Sequence, residues 1–381
     1  MLDLNEIREN IDETDKAIVE LFEKRMKLCE EVAEYKIETG KQVLDTTREK
    51  QKIEKVTSLA TGDFNKKSVE ELFKQIMAMS RKMQYQILEK HGIDNAVNDV
   101  VNFEVIDEIK TDCIKVVYQG LEGAYAHDAV CQYFGEDADM YHVDSWRDAM
   151  EEVRDGKADY AVLPIENSTA GIVSQVYDLL VEYDNHIVAE TFVKVEHALL
   201  GTQDSSIEDI EVVYSHPQSL MQSAKFLEEH REWQQISLSN NAVSAKKVAD
   251  EQDKTHAAIA SVRAGKLYGL KILKEKVNYS DVNTTRFVIV AKNKICKKDA
   301  GKVSICFEIA HESGSLYNML SHIIFNNLNM TNIESRPIEG RKWEYRFFVD
   351  FEGNLVEDAA VRNALKGIAA EAINLRILGN Y

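Results

Sequence analysis

Proline is nearly missing from this chain. Three occur in 381 residues, Pro164, Pro217 and Pro337, where average usage of about 5% would place roughly 19. Either the three survive by chance in a low-proline lineage, or each stands where a fixed turn is hard to replace. Cysteine is sparse as well. Cys29, Cys113, Cys131, Cys296 and Cys306 are scattered, with no CxxC pair and no metal-ligand spacing. Neither a disulfide framework nor a thiolate metal site is therefore expected. No apolar run is long enough to span a bilayer. The opening MLDLNEIREN lacks the basic start and apolar core of a signal peptide, so a cytoplasmic protein without a membrane partner is expected. Net basic charge is also absent. The formal charge of -19 argues against nucleic acid, because phosphate needs Lys and Arg in excess. No GxGxxG fingerprint occurs, which argues against a nicotinamide dehydrogenase.

What is present suggests several domains. Residues 1–92 contain no Pro and no Trp, and hold 17 Lys+Arg against 19 Asp+Glu. Their apolar pattern is helical. The acidic stretch 93–111 has no strong period and reads as a linker. From 112 to 296, strand-like runs such as CIKVVY, Tyr160–Leu163, Ile187–Val195, Val212–Tyr214, Ala257–Ala260 and Phe287–Ala291 alternate with helical stretches. That alternation marks an α/β domain. Residues 302–381 read strand, helix, strand, strand, helix, strand, the ferredoxin-like βαββαβ order.

The first helix should run over about residues 3–38. Leu4, Ile7, Ile11, Thr14, Ile18, Leu21, Arg25, Leu28, Val32 and Tyr35 step by three and four, a heptad stripe. Arg25 occupies a position that should be apolar. A buried guanidinium is costly unless an anion meets it, so either a structural ion pair or an anionic ligand is implied. Lys36 follows eleven residues later, about 20° off the same face and about 16 Å along it. Arg8 lies about 25 Å before Arg25 and about 100° off that face. It is either a solvated surface residue or a contribution from a second, antiparallel chain. Asp45, Arg48 and Glu49 share one face of a second helix, although Thr46-x-x-Glu49 also fits a capping box. A third helix, about 68–90, presents Ser80 and Gln84 four apart.

This set of eight resembles the all-helical chorismate mutase domain of the bacterial P-proteins. By that resemblance Arg8 (from the partner chain), Arg25 and Arg48 clamp the carboxylates of chorismate. Lys36 and Gln84 face its ether oxygen, Asp45 and Glu49 bind the ring hydroxyl, and Ser80 completes the site. A homodimer or higher homo-oligomer is then expected.

Three further motifs punctuate the central segment: Leu163-Pro-Ile-Glu166-Asn167-Ser-Thr, Tyr214-Ser215-His-Pro-Gln218 with Gln222, and Asn283-Thr-Thr285-Arg286-Phe. Each follows or leads into a strand, where α/β folds bind ligands. Helix capping by Asn167 or Ser168, and a satisfied turn histidine at His216, are the plainer readings. Together the motifs resemble the prephenate dehydratase family, which implies two α/β lobes with a cleft between them. The resemblance makes Thr285 the main catalytic residue, with Glu166, Asn167, Ser215 and Gln222 lining the cleft. Arg286 beside it is expected to hold the substrate's carboxylates. The family often has Tyr-Ser-His where this chain has Tyr125-Ala126-His127, so no catalytic role is expected there. Prephenate would lose water and CO2 to give phenylpyruvate, with neither metal nor organic cofactor.

In the last segment, Gly314-Ser315-Leu316 opens a helix and Glu334-Ser335-Arg336-Pro337 lies in a strand. The pair resembles an ACT regulatory domain, in which these motifs form a phenylalanine pocket between paired domains. A plain oligomerisation domain is the alternative. The whole is expected to be multidomain: an all-α mutase domain, a two-lobed α/β dehydratase and a ferredoxin-like α+β ACT domain. L-phenylalanine is the expected feedback inhibitor. A non-catalytic amino-acid sensor and an arogenate-using dehydratase remain alternatives.

Overall fold

The computed structural model describes residues 3–92 and 102–381. Most of the expected linker, residues 93–101, lies outside the described residues. Two compact units form. One gathers the described residues up to Asn102 with Ile305–Ile377, and the other contains Phe103–Ser304 with Leu378–Tyr381.

The first unit begins with helix α1, Leu4–Thr39. Asp3 caps it by accepting from the Asn5 N–H, and Gly40 ends it at φ 67°, a left-handed turn that glycine adopts without strain. Helix α2 is Thr46–Leu59 and α3 is Asp63–Lys90. The Asp45 side chain caps α2 by accepting from the Arg48 N–H at 2.9 Å. The capping box from Thr46 is not formed, because the Glu49 carboxylate turns to Arg81 instead. Ala33, Val43, Tyr85 and Leu88 form a small core among the three helices. Ala33 is the one fully buried residue of α1. Its heptad stripe stays open: Leu4 is 58% exposed, Ile11 52%, Ile18 57%, Leu21 67% and Leu28 53%. Among the described residues nothing covers that stripe.

The C-terminal segment, most of it in this unit, has the expected βαββαβ order: Lys302–Glu308, Ser315–Phe325, Met330–Pro337, Tyr345–Glu352, Ala359–Glu371 and Ile373–Asn380. In the sheet its four strands lie in the order second, third, first, fourth. Its helices pack on α3. Lys82 donates to Ser321 Oγ at 2.6 Å. Glu89 receives Arg362 at 2.8 Å and also Lys366. The helical segment and most of the segment 302–381, expected as separate domains, thus fall in one compact unit. The reason lies in α3, whose Arg81 and Lys82 look like a solvent face in the sequence yet are 7% and 4% exposed.

In the second unit, one lobe is built on strands ordered Asp139–Val143, Lys115–Gln119, Tyr160–Asn167, Thr284–Ala291 and His186–Lys194. The first three run parallel, and Thr284–Ala291 is antiparallel to both its neighbours. Val116, Val162, Val188 and Ile289 fill its core. The other lobe is a five-stranded sheet ordered Lys271–Lys274, His197–Gly201, His256–Ser261, Val212–Ser215 and Gln234–Ser237. The expected strand 187–195 forms as His186–Lys194, and after two residues the chain enters the other lobe as His197–Gly201. A short strand, Glu104–Ile106, pairs with Ile295–Lys297, so the end of the expected linker belongs to the fold. Among the described residues, no helix is long and apolar enough to cross a membrane.

Candidate active sites

In the helical segment, a cavity of about 360 Å³ opens among α1, α2 and α3. Arg25, Lys36, Asp45, Arg48, Glu49, Ser80 and Gln84 all line it, so seven of the eight expected residues meet. Arg8 does not reach it. It is exposed on the far half of α1. Arg25 donates to Ser80 Oγ at 2.5 Å and has no carboxylate partner among the described residues. The structural ion pair is therefore absent and the guanidinium faces the cavity. Lys36 donates to the Val43 carbonyl at 2.7 Å and to Gln84 Oε1 at 3.0 Å. An ammonium has three N–H groups, so one remains for a ligand. Burial lowers the Lys36 pKa, opposed by the charges of Asp45 and Glu49. Asp45 is occupied as a helix cap and Glu49 by Arg81, which leaves Arg25, Lys36, Arg48 and the exposed Lys52 to meet an anion. Sequence reasoning missed Arg81. Its only signal was a charged residue adjacent to Ser80.

In the second unit, strand alternation sorts the motif residues. Thr285 pairs with Asn167, and Arg286 with Glu166. Asn167 Nδ2 donates to Thr285 Oγ1 at 2.9 Å. Arg286 turns the other way, where Glu190 at 2.7 Å and the Tyr381 hydroxyl at 2.8 Å hold it. Its Nη1 lies 4.0 Å from Glu166. The expectation that Arg286 meets the substrate beside Thr285 is corrected: adjacent strand residues point to opposite faces, and Glu166 lies with Arg286. Ser215 is also set apart. It is fully buried, and its hydroxyl donates to the Ile259 carbonyl at 2.6 Å. His216 caps the helix Pro217–Gln222 by accepting from Gln218, the satisfied turn histidine.

A directed hydrogen-bond chain ends on Thr285. The backbone N–H groups of Thr169 and Ala170 donate to Asn167 Oδ1 at 3.0 and 2.9 Å. That fixes the orientation of the Asn167 amide. The Thr169 hydroxyl also donates to Asn167 Oδ1, at 2.8 Å, so Thr169 Oγ1 must accept from Gln222 Nε2, at 2.8 Å. Gln222 Oε1 then faces His197 Nε2 at 2.9 Å, which must carry the ring proton. Burial lowers the His197 pKa, keeping the ring neutral, and Nδ1 lies 2.8 Å from the Tyr125 hydroxyl. Thr285 Oγ1 thus accepts from Asn167, and its own proton remains available to a ligand. The chain joins both lobes, since His197 and Gln222 belong to one and Thr169, Asn167 and Thr285 to the other. Asn283 Nδ2 beside it is buried with no acceptor among the described residues. Sequence reasoning missed His197, which follows the second lobe's entry point and has no motif around it.

In the βαββαβ segment, a cavity of about 550 Å³ is lined by Gly314, Ser315, Leu316, Trp343 and Tyr345, among others. Gly314 precedes the helix at φ 84°. Glu334, Ser335, Arg336 and Pro337 lie outside it, on the strand paired with Tyr345–Glu352. One chain therefore brings together only one of the two expected effector motifs.

Residues 7–85 match the family model of chorismate mutase type II, and residues 116–295 that of prephenate dehydratase. The bifunctional chorismate mutase/prephenate dehydratase of Escherichia coli strain K12 is 30% identical over 98% of this chain and 95% of its own. Among solved structures, prephenate dehydratase from Arthrobacter aurescens in complex with L-Phe is 26% identical with TM-score 0.66, covering 70% of this chain and 89% of that one. GqqA, a quorum quenching acylase, is 30% identical with TM-score 0.64, covering 70% and 96%. With both domains matched in order and the likeness running nearly end to end, this chain belongs to the bifunctional chorismate mutase/prephenate dehydratase family.

Proposed function

We propose that the chain performs both reactions in sequence, chorismate to prephenate and prephenate to phenylpyruvate. The observation that carries this reading is the pairing of a cation-lined cavity with a separate, directed donor at Thr285. The first reaction is a pericyclic rearrangement with no nucleophile. The enzyme must hold a flexible dianion folded and stabilise charge on the breaking ether oxygen. Arg25 and Arg48 suit the carboxylates, and the third N–H of Lys36 suits the oxygen. Gln84, which accepts from Lys36, sets the direction of that ammonium. In the second reaction, the Thr285 proton goes to the leaving hydroxyl, which departs as water. The carboxylate C–C bond breaks, its electrons complete the aromatic ring, and CO2 is released. One proton is consumed overall, and solvent restores it to Thr285. Chorismate supplied to purified protein should yield prephenate and then phenylpyruvate. Failure of either product to form would refute the corresponding half.

The open heptad stripe on α1 and the remote Arg8 support a dimer in which each mutase cavity takes Arg8 from the partner. Arg8→Ala and Lys36→Ala proteins should each be inactive as mutases. Mixed and reassembled, they should regain activity, because each mixed pair has one complete cavity. No recovery would refute the shared site. The βαββαβ segment we read as an ACT domain sensing L-phenylalanine, with residues 314–316 of one copy and 334–337 of another. Calorimetry on the full chain should show L-phenylalanine binding that Gly314→Val removes.

A further inference from the structure

Arg81 borders the mutase cavity but is held from outside the helical segment. Its Nη1 donates to both oxygens of Glu49 at 2.7 Å. Its Nε donates to Glu371 Oε1 at 2.9 Å, and Glu371 is the last residue of the helix Ala359–Glu371 in the βαββαβ segment. His322 Nε2 lies 3.3 Å from the same Glu371 oxygen. Both ends of the Arg81–Glu371 contact are nearly closed to water, with side chains 8% and 10% exposed. A guanidinium shared between two carboxylates is directional, because its N–H groups form a rigid fork.

Room to move makes the second grip matter. Glu49, Met77 and Arg81 line both the mutase cavity and a larger one of about 920 Å³ that also touches Glu312 and Asn318. The Glu49–Arg81 pair is thus part of the wall between two open spaces. Glu49 alone would not stop Arg81 and its partner carboxylate from swinging into the larger one. Glu371, fixed on a packed helix, does.

We propose that Arg81 is a positioning residue of the mutase, and that Glu371 of the C-terminal segment sets it by gripping Nε. Through Arg81 it aims the Glu49 carboxylate at the ring hydroxyl of the substrate. The mutase cavity is therefore completed by the C-terminal segment of the same chain. This rests on the mutase reading above. Because the ring hydroxyl takes no part in the bond changes, misaiming Glu49 weakens ground and transition states alike. The signature is a raised KM with little change in kcat.

The experiment uses the full chain. Glu371→Ala should raise the mutase KM for chorismate about five- to tenfold, roughly the net worth of one ordinary hydrogen bond to the substrate, with kcat within about twofold and dehydratase kinetics unchanged. Arg81→Met should raise KM at least as much. The double variant should match Arg81→Met alone, because Glu371 acts only through Arg81. Additive effects of the two substitutions would overturn the proposal. So would an unchanged KM in Glu371→Ala, or equal losses in both activities. An inactive wild-type mutase would instead refute the underlying reading, so the two failures are distinct. If Arg81→Met does not fold, Arg81→Lys, which cannot grip both carboxylates at once, replaces it in the cycle.

Discussion

Replacing Thr285 by valine removes one hydroxyl and nearly nothing else. The structural cost is small. Asn167 Nδ2 loses its acceptor at 2.9 Å but keeps Asn283 Oδ1 at 2.8 Å, so no buried donor is stranded. The lost bond is worth about 1 kcal/mol of stability. The chemical cost is larger. A positioned proton donor contributes roughly 10²- to 10⁴-fold, or about 3–5 kcal/mol of barrier. Catalysis should therefore collapse while the fold survives. In Thr285→Val, phenylpyruvate formation from prephenate should fall at least about 100-fold in kcat. Mutase turnover in the same sample should be unchanged, and so should the thermal midpoint within a few degrees. Thr285→Ser, which keeps the hydroxyl, should recover most of the rate. Full dehydratase activity in the valine variant would refute both the donor role and the direction assigned to the hydrogen-bond chain.

Other outcomes follow from the same geometry. Lys36→Ala should abolish mutase turnover with the fold intact and the dehydratase unaffected, read by chorismate consumption; normal turnover would exclude the ether-oxygen contact. His197→Phe removes the Nε2–H that orients Gln222 and should lower dehydratase kcat about tenfold or more. His197→Gln, which restores an N–H there, should recover it, and equal defects would show a purely structural role. For Glu371, burial pushes the pKa up, but the His322 hydrogen bond and the Arg81 charge outweigh it and bring it to about 2. A depressed carboxyl contributes stability above its unfolded pKa and loses it as pH falls through the folded one. The stability gap between wild type and Glu371→Gln should be fully present above about pH 5 and close toward pH 2, measured by denaturant unfolding. A gap constant across that range would contradict the ion-pair assignment.

Much of the mutase site was legible because helices obey a period. Arg25 in an apolar stripe, Lys36 on the same face, and Ser80 four residues from Gln84 follow from 3.6 residues per turn, and seven of eight side chains meet one cavity. Strand alternation bears equally on Thr285 and Arg286, but a motif of consecutive letters does not display it. The structure shows adjacent residues on opposite faces, with Arg286 held by Glu190 and Tyr381. His197 and Arg81 were not legible. A buried histidine after a lobe crossing and a charged residue on a helix face carry no local pattern; partners 25 and 290 residues away define them.

By itself the sequence determined the elements and their order: three helices, an alternating α/β segment, a βαββαβ segment, and the charged set that suits a dianion. These depend on local spacing, which the covalent chain sets directly. Tertiary structure alone decided what those residues face. It turned Ser215 into its own sheet and oriented every amide from His197 to Thr285. It also buried α3 against the C-terminal helices, so that Glu371 meets Arg81. Such pairings depend on packing between segments far apart in the chain, and no spacing rule within either segment encodes them.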